Sequence, residues 1–259
     1  MHVLEWSDFI TQASPEPAAM TIGAFDGVHR GHQALIERIV RHGPLPTVIT
    51  FKQNPKKMIH PRAYAGDIFS LGQKLRIFED LDVARTILID FSENFSKIRG
   101  PEFLELLKKR GNLTFLAIGS NFRCGYQLDT HAGQIKRINE GAGIPTDVVH
   151  PVPEAGFPVS SSRVRSAIVR GDLAGAAALL GRRVELDLGD VSAAPYRRNG
   201  EAGTVFDMPS RNRITPPDGR YGAVLYGGNV PEGERAEIFL EKGKVFVPAP
   251  FNAERVEFT

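Results

Sequence analysis

An α/β fold is predicted for this 259-residue chain: a twisted parallel sheet followed by a smaller antiparallel β module. Three observations carry that expectation. Through residue 181, short β-capable runs alternate with runs of helical period, the pattern of parallel strands joined by crossover helices. After Arg183 the helical period stops. The remaining β-capable runs are separated by Gly, Pro and Asn, the pattern of antiparallel hairpins. The change falls near Arg182, so the expected domains are residues 1–182 and 183–259.

The elements follow in order. Residues 19–22 form a short β-capable run that ends in the glycine-containing stretch 23–31. Residues 32–42 read as a helix with Leu35, Ile36, Ile39 and Val40 on one stripe, and Gly43 suits its C-cap. Residues 47–51 (TVITF) are the next strand. Ser70 is placed to cap a helix carrying Leu71, Leu75 and Phe78 on one face. Residues 86–89 are an apolar strand. Pro101 suits the first helical position of PEFLELLKKR and Gly111 its end. Residues 113–118 and 147–152 read as strands and 132–140 as a helix. Asp172 is placed to cap a helix over 173–180 that Gly181 closes. In the tail, residues 185–188, 221–226, 236–240 and 245–247 are strand-like, with 241–244 as a hairpin loop.

Composition excludes several classes. A hydrophobic fraction of 42% and a charged fraction of 24% rule out a disordered or collagen-like chain. The single cysteine, Cys124, excludes an intramolecular disulfide framework and a cysteine-built zinc site. A net charge of +2 is too small to argue for nucleic acid. No run reaches the roughly 18 apolar residues of a membrane span. Residues 1–10 carry Glu5 and Asp8 and lack the basic start and apolar run of a signal peptide. The expected setting is a reducing cytoplasm.

The densest chemical signal is TIGAFDGVHRGH, residues 21–32. A strand ends, a loop with Gly27 and Gly31 follows, and a helix begins, so backbone N–H groups and a helix N-terminus can face an anion. His29 and His32 are three apart and share a face. Two imidazoles beside a helix dipole suit a polyphosphate and the charge that develops when one phosphorus is attacked. His-x-x-His also occurs in zinc sites, but no third ligand stands at a matching spacing. A second set, VSSSRVR (residues 159–165), places three serine hydroxyls, Arg163 and Arg165 at another helix start. Read alone it is more simply an ordinary serine N-cap with exposed arginines, since serine-rich helix starts are common.

Together these motifs resemble the HxGH nucleotidyltransferase superfamily, and more narrowly the FMN adenylyltransferase module of prokaryotic FAD synthetases (bifunctional riboflavin kinase/FMN adenylyltransferases). TFKQNP (50–55), FSLGQKLRIFEDLDV (69–83), FSENFSKIRGPEFLELL (91–107), IGSNFRCG (118–125) and LLGRR (179–183) correspond in order, covering nearly all of residues 19–183. The resemblance implies a Rossmann-like parallel-sheet domain that transfers AMP from ATP to FMN, giving FAD and pyrophosphate, with Mg²⁺ carried mainly on the ATP phosphates. His29 and His32 would contact those phosphates. Ser161, Ser162 and Arg165 would hold the leaving β/γ pair, with Ser160 and Arg163 beside them. Gly23, Phe25, Asp26 and Gly31 would shape the nucleotide pocket. Asn54, Pro55 and Asn121 match positions used around the flavin phosphate and reacting groups. The isoalloxazine could stack on Phe51, Phe91, Phe95 or Phe122, most of which suit the core better.

Departures from the family pattern are few before Arg183. Gln53 and Asn54 replace a common Pro-His pair, Asn121 an aspartate, Cys124 an aromatic and Ser162 a threonine. Cys124 has no acid/base array around it and reads as a packing residue. His42, His60, His131 and His150 lie outside any motif and read as structural or exposed. The tail departs further: the Gly-x-Pro-Thr-Ala-Asn stretch of the kinase module is missing, and RITPPDGRYGAVL (213–225) resembles one kinase-module strand and its preceding turn. The expectation is an FMN adenylyltransferase whose barrel remnant lacks riboflavin kinase activity. Three other readings remain: a bifunctional enzyme, a related enzyme with another acceptor, and a non-catalytic flavin- or nucleotide-binding regulator.

Overall fold

The structure, a computed structural model, describes residues 1–59, 61–62, 64–91, 93–198, 200–208, 212–228, 230–249 and 253–259. His60 lies outside them. The chain forms two compact units: Met1–Pro61 with Lys74–Pro158, and Arg62–Gln73 with Val159–Thr259.

The first unit is built on six parallel strands: β1 (His2–Glu5), β2 (Ala18–Ile22), β3 (Leu45–Phe51), β4 (Arg85–Ile89), β5 (Leu113–Gly119) and β8 (Thr146–Val149). Their spatial order is β1-β4-β3-β2-β5-β8, every pair parallel. Strands β2 and β4 are buried throughout, as strands covered on both faces must be, which is why they read as unbroken β-capable runs without polar alternation. The helices are α1 (Trp6–Thr11), α2 (Arg30–His42), α3 (Pro55–Ile59), α4 (Leu71–Asp80), α5 (Glu93–Ser96), α6 (Gly100–Gly111) and α7 (Ala132–Glu140). Met20, Ile49, Ile87, Leu116 and Ile118 from the sheet join Trp6, Phe9, Leu104, Leu107 and Ile135 from the helices in one core. Two short hairpins complete the unit: β6 (Arg123–Cys124) with β7 (Thr130–His131), and β9 (Pro153–Glu154) with β10 (Phe157–Pro158).

Helix ends follow the local sequence signal where the capping partner is a near neighbour, and depart from it where space is the constraint. Ser70 Oγ accepts from Gln73 N at 2.8 Å and Gln73 Oε1 accepts from Ser70 N at 2.8 Å, a reciprocal cap on α4. Asp172 accepts from Gly175 N at 2.8 Å, and Gly181 is left-handed at φ 74°. At α6 the left-handed residue is Asn112 (φ 49°) and not Gly111. Gly111 is needed for space, because a Cβ there would stand 2.3 Å from Met20 Cε and 3.1 Å from the Phe9 ring. Gly43 follows α2 in an extended conformation, and it too is needed for space: a Cβ there would stand 2.8 Å from Ala19 Cβ. Strand β8 ends at Val149, three residues short of the expected 147–152 run. Strand β1 has no apolar alternation; its pairing to β4, His2 opposite Arg85, supplies what the sequence pattern lacks.

The second unit carries α8 (Ser161–Val169), α9 (Leu173–Leu180) and a seven-stranded antiparallel sheet ordered β11-β17-β14-β15-β16-β13-β12. These strands are β11 (Glu185–Asp187), β12 (Ala193–Arg198), β13 (Glu201–Asp207), β14 (Gly219–Gly227), β15 (Val230–Glu241), β16 (Lys244–Pro248) and β17 (Ala253–Phe258). The Lys242-Gly243 turn between β15 and β16 has two positive φ angles (51° and 71°), the conformation of a tight hairpin. The β12–β13 hairpin and β17 are absent from the sequence reading. Strand β12 is largely exposed and so lacks the two-residue apolar period. No helix among the described residues is long and apolar enough to cross a membrane.

Candidate active site

The chain runs from β2 to β3 to β4 in one direction across the sheet, then returns to place β5 and β8 on the other side of β2. The strand order therefore reverses at β2 and β5, and the carboxyl edge at such a switch point is where open α/β sheets bind ligands. Residues 23–29 and residues 120–121 emerge there.

The 23–29 loop is strained. Phe25 (φ 49°), Gly27 (φ 82°) and Val28 (φ 38°) all have positive φ, and a β-branched residue in that region is uncommon. Phe25 and Val28 are fully buried, so packing holds the conformation. Hydrogen bonds reinforce it: Gly23 N donates to Ile49 O at 3.1 Å, and Thr50 Oγ1 to Ala24 O at 3.2 Å. Lys74 Nζ donates to Phe51 O at 3.1 Å and Ala24 O at 3.4 Å. Lys74 is buried and was missed as a site residue. Its signal was available: a charged residue one turn after Leu71 and one turn before Phe78, inside the apolar stripe of α4.

This loop presents the histidines. His29 is the N-cap of α2 and makes no side-chain capping bond. His32 N and Gln33 N donate back to His29 O at 2.7 and 3.0 Å, and the positive end of the helix dipole lies at this loop, where an anion is favoured. The His29 and His32 rings stack with centroids 3.6 Å apart and planes 15° apart. Phe25 sets its edge on His32 at 5.1 Å and rests against Phe78 at 5.6 Å. Gln33 Nε2 donates to Val28 O at 2.9 Å, tying the first turn back to the loop. Gly31 lies half-buried in that turn, and Arg30 pairs with Glu154.

At the end of β3, buried Asn54 donates from Nδ2 to buried Asp26 Oδ2 at 3.4 Å, while its Oδ1 accepts from Lys56 N at 3.2 Å. Pro55 opens α3. Asn121 is exposed, just past the end of β5, in a turn where Phe122 N donates to Gly119 O at 2.9 Å. Gly23, Phe25, Asp26, His29, Gly31, His32, Asn54, Pro55 and Asn121 therefore share the carboxyl edge of one sheet. The serine–arginine set belongs to the second unit. Ser160 is the N-cap of α8, accepting from Arg163 N at 3.3 Å, and Ser161, Ser162 and Arg163 form the first turn. Arg165 Nε donates to Gly66 O at 3.0 Å.

Burial, with a smaller contribution from the Asp129 charge, pushes the Cys124 thiol up to about 12. A thiol so placed holds almost no thiolate near neutrality. Native protein at pH 8 is expected to react with a thiol reagent at least about tenfold more slowly than unfolded protein; equal rates would contradict the burial. Asp129 also caps α6 from a distance, accepting from Gly100 N at 3.0 Å and Thr130 Oγ1 at 2.8 Å. Burial alone would raise its carboxyl, but bonds from Thr130, Gly100 and Arg99 outweigh that and hold it below the usual carboxylate range. Of the remaining histidines, His42 stacks on Phe115 at 4.1 Å, and His131 N donates to Gln134 Oε1 at 3.0 Å at the start of α7. His150 is exposed.

Comparison with known proteins agrees with this geometry. Bifunctional riboflavin kinase/FMN adenylyltransferase of Escherichia coli (strain K12) is 28% identical over 223 residues, covering 84% of this chain and 71% of that protein. The protein of the same description from Haemophilus influenzae is 26% identical over 223 residues, covering 80% and 68%. Among solved structures, a macrolide-efflux protein from Streptococcus pneumoniae superposes with a TM-score of 0.81 over 100% of this chain and 89% of that one, at 22% identity, and so shares the fold. The FAD synthetase family model matches residues 11–163, a span that holds the strained histidine loop, Asn54, Asn121 and the start of the serine–arginine helix. With more than half of its length in that match, the chain belongs to the FAD synthetase family.

Proposed function

We propose that this protein transfers AMP from Mg-ATP to FMN, forming FAD and pyrophosphate. An FMN phosphate oxygen attacks the α-phosphorus in line, a new P–O bond forms, and the bond to the bridging oxygen of the β-phosphate breaks. No covalent enzyme intermediate is required, so catalysis consists of positioning and charge stabilisation. The observation that supports this reading is the strained, buried loop that stacks two histidines at the start of α2, beyond the carboxyl end of β2. His29 and His32 offset charge on the transferring group. Ser161, Ser162 and Arg165, with Ser160 and Arg163, take the β/γ-phosphates. Gly23, Phe25, Asp26 and Gly31 shape the nucleotide pocket. Asn54, Pro55 and Asn121 serve the flavin phosphate. Mg²⁺ carried on the ATP phosphates would neutralise part of their charge. Residues 1–182 carry the residues that meet ATP and FMN, and the setting is a reducing cytoplasm.

Residues 183–259 form a kinase-like barrel remnant that does not phosphorylate riboflavin, since the phosphate-cradling stretch is missing from their sequence. A bifunctional enzyme is the second reading. It is favoured by the match to the E. coli protein, whose 84% coverage of this chain runs past residue 182. Chromatographic product analysis separates the two. Mg-ATP plus FMN is expected to yield FAD and pyrophosphate, and Mg-ATP plus riboflavin no FMN above background. FMN formed from riboflavin would refute kinase loss, and no FAD from FMN would refute the adenylyltransferase.

A further inference from the structure

We propose that the β tail works in adenylyl transfer as a positioning device: it fastens a strap, residues 64–73, whose Gly66 carbonyl fixes the guanidinium of Arg165. The inference rests on the reading that Arg165 meets the ATP phosphates.

The strap is joined to the tail at both ends. At its start, Asp67 N donates to Asn212 O at 2.8 Å and Ile214 N donates to Asp67 O at 3.1 Å, a parallel bridge of Asp67 with Arg213. Gly66 makes that approach possible. Its φ is +104°, and a Cβ there would stand 2.7 Å from Asn212 O and 3.2 Å from Ile214 Cγ2. At the other end, Ser70 Oγ donates to Asp187 Oδ2, and Gln73 Nε2 donates at 3.1 Å to both the backbone and the side-chain oxygen of Glu185. Ile68, Phe69, Ser70 and Gln73 are buried. The strap is held too tightly to drift with the side chain it supports.

Arg165 is the residue that profits. Its Nε–H donates to Gly66 O at 3.0 Å, a charge-assisted bond that sets the plane of the guanidinium. The four Nη N–H groups are the other donors of this side chain and the ones suited to forked recognition of phosphate. Fixing that fork before ATP arrives removes an ordering cost from the reaction. Asp67, Asn212 and Ile214 act through backbone groups alone, so their side-chain identities carry no sign of the role. A tail without kinase residues thus keeps a task in the other reaction, and Gly66 is a positioning residue for it.

A double-mutant cycle on the full-length protein tests this. Arg165→Ala is expected to lower kcat/KM for ATP by about 10–100-fold. Gly66→Ala is expected to lower it about tenfold in the native background and less than about twofold when Arg165→Ala is already present. Its effect on melting temperature should be the same in both backgrounds. Asp187→Ala, which loosens the other end of the strap and perturbs the fold less, should show the same dependence on Arg165 at smaller size. Equal fold-losses with and without Arg165 would overturn the positioning role, because a merely structural change does not depend on the arginine. An Arg165→Ala variant with unchanged kcat/KM would instead sink the phosphate reading beneath it.

Discussion

His32→Ala is expected to lower kcat for FAD formation by about 10²–10³-fold, the range for removing one preorganised donor from developing phosphate charge. Its melting temperature should fall by only about 2–4 °C, corresponding to roughly 1 kcal/mol of lost ring contact in a chain of this size. The contrast follows from the geometry. His32 lies in the first turn of α2, stacked on His29, in edge contact with Phe25 and only half-buried. Uncatalysed by His32, FMN and ATP would still be held by the rest of the site, so KM should change less than kcat. His29→Ala should act similarly, and the double variant should lose far less than the product of the two because the rings serve one charge. Steady-state kinetics with pyrophosphate detection reads all three. Unchanged turnover in His32→Ala would make the chain a flavin- or nucleotide-binding protein that does not use this pair for chemistry.

Gly125→Ala is expected to cost about 3 kcal/mol or more, lowering the melting temperature by about 6–12 °C. Gly125 has φ +85°, and an added Cβ would stand 2.2 Å from Asp129 Oδ1 and 2.3 Å from Gly100 N. The nitrogen belongs to the first residue of α6 and cannot rotate away. The left-handed conformation alone costs an L-residue about 1–2 kcal/mol, and the overlap adds to it. Gly156→Ala isolates the first part: φ there is +78°, yet nothing lies within 4 Å. Gly125→Ala should melt at least about 2 °C below Gly156→Ala. Equal shifts would show that the overlap at Gly125 relaxes at no cost.

Much of this was legible beforehand. The motif TIGAFDGVHRGH is local, with strand, loop and helix start following one another in sequence, and so both histidines and their helix could be placed from the chain alone. The same holds for the Ser70 and Asp172 caps, whose partners are three residues away. Lys74 escaped because a lysine in an apolar stripe reads as an imperfection until its partners, Ala24 and Phe51, are known to lie against it. Glycines were read for conformation, whereas Gly43 and Gly111 are needed for space against Ala19, Met20 and Phe9. Asp129, capping a helix that begins 29 residues earlier, has no local signature at all.

By itself the sequence determined the α/β class, the family resemblance and the two motifs that stand at the starts of α2 and α8, because short-range periodicity and adjacent residues encode them. Only the tertiary structure decided the strand order that sets β2 beside β5, the strain that burial imposes on Phe25 and Val28, and the strap that links the tail to Arg165. Those features arise where distant segments pair through backbone groups or fill the same space, and the pairing of backbone groups leaves no side chain to announce it.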